Sequence, residues 1–241
     1  PDDSWTYQDL YDAAVELTEG DDVSSKTFGY LYQGSITTGW FPFGKAYGGM
    51  ILNDDKTEAV LDDNYWQGIE FAAQFVEEGL SPDSTLMGEL GGARVLFGND
   101  RAGMMYVQFS IVRLINEEFP ELNWDIAMIP ENFDGTRTVP TVTNSWMIYS
   151  RAEQESKDSA WAFLQHYLSQ ESQDIIAEAA TSLPDLISSQ QVLLDSVDTD
   201  LSAFTNGLEF GVTLDENPSW NAWRGVVQTP SLDLTNGLIE L

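Results

Sequence analysis

Apolar residues recur at helical spacing over Leu10, Ala13, Ala14 and Leu17, which marks one buried face of a helix. Thr6-Tyr7-Gln8-Asp9 stands ahead of them as a capping box with Asp in place of Glu, and Gly20-Asp21-Asp22 ends the element. Residues 28–32 (Phe-Gly-Tyr-Leu-Tyr) predict a strand, and 50–55 a strand running into a turn. A helix is predicted over 65–78, capped by Asp62 or Asp63 and stopped by Gly79. Residues 94–97 end another helix, and Gly98 fits a C′ position that needs φ > 0. The run 102–107 is short and apolar enough for a buried strand, and Ser110 is read as the N-cap of a helix over 111–119 that Pro120 stops. Alternation over 124–129 before Pro130 predicts a further strand, and the β-branched run 138–149 an extended segment. Helical patterns then cover 159–168, 171–180, 186–197 and 201–208. Asn217-Pro218-Ser219 opens a last helix over 220–227, closed by Gln228-Thr229-Pro230. Strands alternate with helices and then give way to them, which predicts an α/β fold with a helix-rich C-terminal part.

The order helix, tight turn, buried strand, helix puts Tyr106, Gln108, Phe109 and Ser110 at a strand-to-helix corner, where open α/β sheets collect ligands. Phe97, Met104 and Met105 have the spacing of core residues. The stretch 34–49 is aromatic and broken by Gly and Pro; it reads either as a ligand wall or as a hydrophobic helix docked on the core.

Charge changes the picture most: 40 acidic residues face 10 basic ones, a net charge of −30, spread along the whole 241-residue chain. With 42% hydrophobic residues, 8 Trp and 12 Phe the chain is not of disordered type. Such a surface repels nucleic acid, and its self-repulsion is screened only at high salt, so a salt-loving source is expected; an ordinary acidic protein is the competing reading. The absence of Cys excludes disulfides and thiolate chemistry, and no run reaches the ~18 apolar residues of a membrane span. Asp54, Asp55, Asp62 and Asp63 lack the EF-hand spacing and His166 has no partner His, so no metal or cofactor is predicted. No Gly-x-Ser-x-Gly, P-loop or His-Glu-x-x-His motif occurs, and no pair of carboxylates is singled out for glycoside hydrolysis.

The landmarks resemble the extracellular solute-binding proteins of sugar ABC importers, the maltose-binding-protein-like group. The resemblance rests on Thr6-Tyr7-Gln8-Asp9-Leu10 with Ala13-Ala14 and Leu17; on Gly48-Gly49 with Asp54; on Gly79-Leu80-Ser81-Pro82; on Phe97-x-x-x-Arg101-Ala102-x-Met104; on Ile129-Pro130; and on Ala160-Trp161-x-Phe163-Leu164 with Ser169-x-Glu171-x-Gln173 and Leu183-Pro184. It implies a periplasmic-binding-protein-like class II fold, of which the chain is mainly the C-terminal lobe: an α/β lobe over 1–137, a crossover with returning helices over 138–185, and C-terminal helices over 186–241. Roughly the first hundred residues of the family fold, with the other half of an interlobe cleft, would lie outside the chain. The family's cleft contacts carry over to Thr38 and Trp40 in the aromatic segment. They carry over to Gln108, Phe109 and Ser110 in place of its Gly-x-Trp, with Tyr106 beside them. Asn144 stands at the crossover, and Trp220 with Arg224 on a late helix. Trp40, Phe109 and Trp220 are therefore expected along one exposed edge. The implied role is reversible sugar capture without catalysis and delivery to the membrane permease of an ABC importer. The protein would be a monomer held at the cell surface or in the periplasm, lipid-anchored through an upstream segment. The alternatives are another solute, such as a polyamine, a polyol phosphate or a metal-chelate, or a carbohydrate-active enzyme.

Overall fold

The computed structural model describes residues 4–214 and 219–240. Helix α1 (Tyr7–Leu17) begins where the sequence announces it: the Thr6 hydroxyl accepts from the Asp9 amide at 3.2 Å, and the Asp9 carboxylate accepts from the Thr6 amide at 2.7 Å. Thr6→Ala removes the hydroxyl half of this box while the residue-6 amide can still donate to Asp9, and is expected to cost about 1 kcal/mol of stability in urea titration. Tyr7, Leu10 and Ala14 bury the inner face of α1 against β1 (Phe28–Leu31), whereas Leu17 stays half-exposed. A Cβ on Gly29 would sit 1.9 Å from the Ala14 carbonyl oxygen, so α1 lies on the strand at backbone contact.

The aromatic stretch resolves into its second alternative. A wide helical turn (Ile36–Trp40), broken at Gly39, leads into α2 (Phe41–Lys45), and Trp40, Phe41 and Phe43 are fully buried. Residues 50–55 form no strand; Leu52 makes one isolated bridge to Ala59. Asp62 then caps α3 (Asp63–Glu77) by accepting from the Tyr65 amide, and Asp83 caps α4 (Ser84–Glu89). Helix α5 (Ala93–Gly98) ends differently from the sequence reading. Gly98 lies within its last turn, and the left-handed residue is Asp100, at φ 56°. Gly98 is small for another reason: a Cβ there would lie 2.3 Å from the Phe119 ring.

Strand β2 (Ala102–Met105) pairs parallel to β1, with Phe28 opposite Ala102 and Tyr30 opposite Met104. It leads into α6 (Phe109–Glu118), whose N-cap position is Gln108; Ser110, predicted as the cap, sits inside the first turn. Residues 124–129 join no ladder among the described residues; the Trp5 indole instead donates to the Met128 carbonyl at 2.6 Å. Strand β3 (Val139–Thr141) pairs parallel to β4 (Gly211–Thr213). Helices α7 (Gln154–Tyr167), α8 (Gln170–Glu178), α9 (Gln190–Leu194) and α10 (Ser202–Gly207) lie between them. Asn217 and Pro218, read as the opening of the last helix, lie outside the described residues. That helix, α11 (Trp220–Thr235), runs through Pro230 instead of stopping there. Val227, Ser231 and Leu234 fall on one face and bury against the Trp40 cluster, and that packing outweighs the amide lost at proline.

Candidate functional site

The carboxyl end of β2 opens into a cavity of about 630 Å³. One wall is the corner itself, Tyr106 to Ser110, and Thr37 and Thr38 face it from the turn before Trp40. Residues 124–130 form the floor, residues 139–142 with Asn144 a second wall, and Leu183 and Phe204 close the side. These segments are held against each other by directional bonds. Gln108 Nε2 donates to Thr37 Oγ1, which uses the side chain laterally instead of as a helix cap. Gln33 Nε2 donates to the Tyr106 carbonyl at 2.7 Å. Phe109 meets Phe204 edge-on at 5.3 Å, and Phe97 meets Trp124 edge-on at 6.1 Å.

Behind the corner lies a buried phenol cluster. The hydroxyls of Tyr7 and Tyr106 are 3.3 Å apart, and burial pushes the phenols of Tyr7, Tyr30 and Tyr106 well above their ordinary range. They are neutral donors and acceptors at any physiological pH. Among the described lining residues, Asp125 is the carboxylate and no Lys, Arg or His occurs. The described residues contain no group of three or more His, Cys, Asp or Glu able to hold a metal ion.

Of the residues singled out in the sequence, Thr38, Tyr106, Gln108, Phe109, Ser110 and Asn144 line this cavity. Trp40, Trp220 and Arg224 do not. Trp40 has no exposed surface and packs among Phe41, Ile51, Tyr65 and Val227, with Trp220 and Trp223 against the same cluster. The expected gathering of Trp40, Phe109 and Trp220 along one edge is thus corrected: Trp40 and Trp220 share a core cluster, and Phe109 lies in another with Val112 and Phe204. Arg224 is exposed on α11 away from the cavity. The aromatic rings that join Tyr106 and Phe109 around the cavity include Trp5, Trp124 and Phe204. Trp124 had a signal in the alternating run it opens; Trp5, one residue before the capping box, had none.

Residues 1–174 match the family model described as bacterial extracellular solute-binding protein. A Brucella abortus protein, named only as a candidate binding protein, is 24% identical over 162 residues, which is 66% of this chain and 38% of that protein. An ABC substrate-binding protein from Listeria monocytogenes, solved in complex with cycloalternan, superposes with a TM-score of 0.80 at 18% identity, covering 98% of this chain and 60% of that one. The sugar-binding protein MalE from Xanthomonas citri gives 0.82 at 15% identity, covering 99% and 60%. The chain therefore spans about two fifths of the curated relatives it matches and three fifths of these solved chains. With the family model matched over more than half its length and the fold shared, this chain belongs to the bacterial extracellular solute-binding protein family.

Proposed function

We propose that this chain supplies one wall of a cleft that captures a neutral sugar or oligosaccharide outside the cell and delivers it to the membrane permease of an ABC importer. The observation that carries this reading is the chemistry of the cavity: aromatic rings and uncharged hydrogen-bonding groups surround about 630 Å³, with Asp125 as the carboxylate among the lining residues. Sugar C–H faces stack on rings, and hydroxyls need fixed amide and hydroxyl partners of the kind Gln108, Thr38, Ser110 and Asn144 provide. A polyol phosphate or metal-chelate calls for Arg or Lys, and a polyamine for several carboxylates. A glycosidase needs two carboxyl groups flanking the bond it cleaves. The cycloalternan held by the Listeria relative supports the same class of ligand.

The uncovered side of the molecule fits residues 138–185 as the part that leans toward a second lobe. Helix α7 has no buried residue, and Trp146 lies edge-on to Phe163 at 5.5 Å while both remain at least half exposed.

Thermal-shift measurements in 1 M KCl test the reading. A neutral oligosaccharide at 100 times its Kd is expected to add about 2.7 kcal/mol, or roughly 5–10 °C in midpoint for a chain of this size, with no turnover of the sugar. A shift produced by glycerol 3-phosphate or spermidine, with neutral sugars silent, overturns it.

A further inference from the structure

Arg137 does not line the cavity; it lies behind the wall, with its side chain only 6% exposed. In a chain with 10 basic residues against 40 acidic ones, a cation placed in the interior calls for a reason. Its Nη1 donates to the Ile129 carbonyl, its Nη2 lies 3.3 Å from Glu131 Oε1, and its guanidinium stands 5.6 Å from the centre of the Phe210 ring. Each contact falls on a segment that contributes to the cavity. Ile129 and Pro130 are floor, and Val139, two residues after Arg137, begins a wall. Phe210 follows Leu208, another lining residue, and leads into the β4 strand paired with β3. Glu131 extends the tie to α1: its amide donates to the Trp5 carbonyl at 2.8 Å, and its carbonyl accepts from the Tyr7 amide at 3.2 Å.

We infer that Arg137 is a positioning residue that locks the 129–131 floor, the β3–β4 ladder and the Trp5 entry to α1 into one rigid frame, and through them sets ligand affinity without touching ligand. An arginine suits this position because its planar fork serves a carbonyl and a carboxylate while its face rests on a ring, three contacts that a lysine ammonium cannot make together. The affinity part rests on the sugar-binding reading; the frame does not.

Hydrogen exchange on the 241-residue chain separates the two. In Arg137→Lys the amides of Tyr7, Glu131 and the β3–β4 ladder are expected to exchange at least tenfold faster together, with α3 unchanged. Ile51→Ala, placed in the Trp40 cluster, provides a destabilised control whose losses are expected around α3 and α11 instead. Unchanged exchange in Arg137→Lys, or acceleration spread evenly over the chain, overturns the inference; Arg137→Met extends the test if it folds. With maltotriose as probe, the lysine variant is expected to bind about tenfold more weakly, and an affinity equal to the parent's overturns the affinity role. A parent chain silent to maltotriose and other neutral sugars counts against the sugar reading, while the exchange pattern still decides the role of Arg137.

Discussion

Replacing Trp40 with alanine is expected to remove about 3–5 kcal/mol of unfolding free energy, read from urea titration, while leaving the groups that line the cavity in place. Trp40 has no exposed surface and is in contact with Phe41 and the Tyr65–Val227 cluster, so truncation opens a void that neighbours on α2, α3 and α11 can fill only in part. Domains of this kind hold only about 5–15 kcal/mol in total, so the variant lies close to unfolding at ambient temperature. Trp124→Ala makes the opposite pattern: the ring is half-buried at the cavity floor, so stability falls less and the ligand-induced thermal shift shrinks more. A Trp40→Ala protein of parental stability that has lost its ligand response would restore Trp40 to the cleft and contradict the burial argument.

The difference between these two tryptophans shows what the chain discloses about itself. Features governed by neighbours a few residues away were legible: the Thr6–Asp9 box, the Asp62 cap and the strand-to-helix corner at Tyr106 follow from local hydrogen bonding and from the period of the apolar residues. Features decided by distant partners were not. Gly98 resembles a helix stop, yet it is needed because the Phe119 ring closes over it. Pro230 resembles a helix stop too, yet Tyr65 and Ser231, 166 positions apart and hydrogen-bonded at 2.7 Å, hold that helix in the core. The run 124–129 alternates like a strand, but its Met128 carbonyl goes to the indole of Trp5, 123 positions away. Gln108 and Phe109 could be nominated from the order of elements, because a sheet edge and its following loop have few places to be; Thr38 and Asn144 follow only from the family resemblance. Which rings would stand beside them depended on how α1 and the 124–130 floor pack, and no local pattern encodes that.

Raising KCl from 0.1 to 1 M is expected to lift the thermal midpoint by roughly 10 °C, the largest effect of any change of conditions considered. The folded surface gathers exposed acids from separate parts of the chain, among them Asp21, Asp22, Asp54, Asp55, Glu77, Glu78, Glu117 and Glu118. Arginine relieves some of this charge, at Arg94–Glu118, Arg113–Glu117 and Arg137–Glu131, but 40 acids share 10 basic residues. Unfolding relieves only the repulsion between acids that folding brings together from separate parts of the chain; at on the order of 1 kcal/mol for a like-charge contact at 4 Å in water and less beyond, that sums to a few kcal/mol. At 0.1 M salt the Debye length is about 10 Å and neighbouring carboxylates feel one another; at 1 M it is about 3 Å and they do not. A relief of that size corresponds to roughly 10 °C at 2–4 °C per kcal/mol for a chain of this length. Neutralising Asp21, Asp54 and Asp55 as amides should flatten the salt response in proportion, which separates charge screening from a general salting-out of apolar surface. We propose on this basis that the surface is tuned to a salt-rich medium. A midpoint that stays level or falls as KCl rises would leave the charge of −30 without that explanation and return the chain to the class of ordinary acidic proteins.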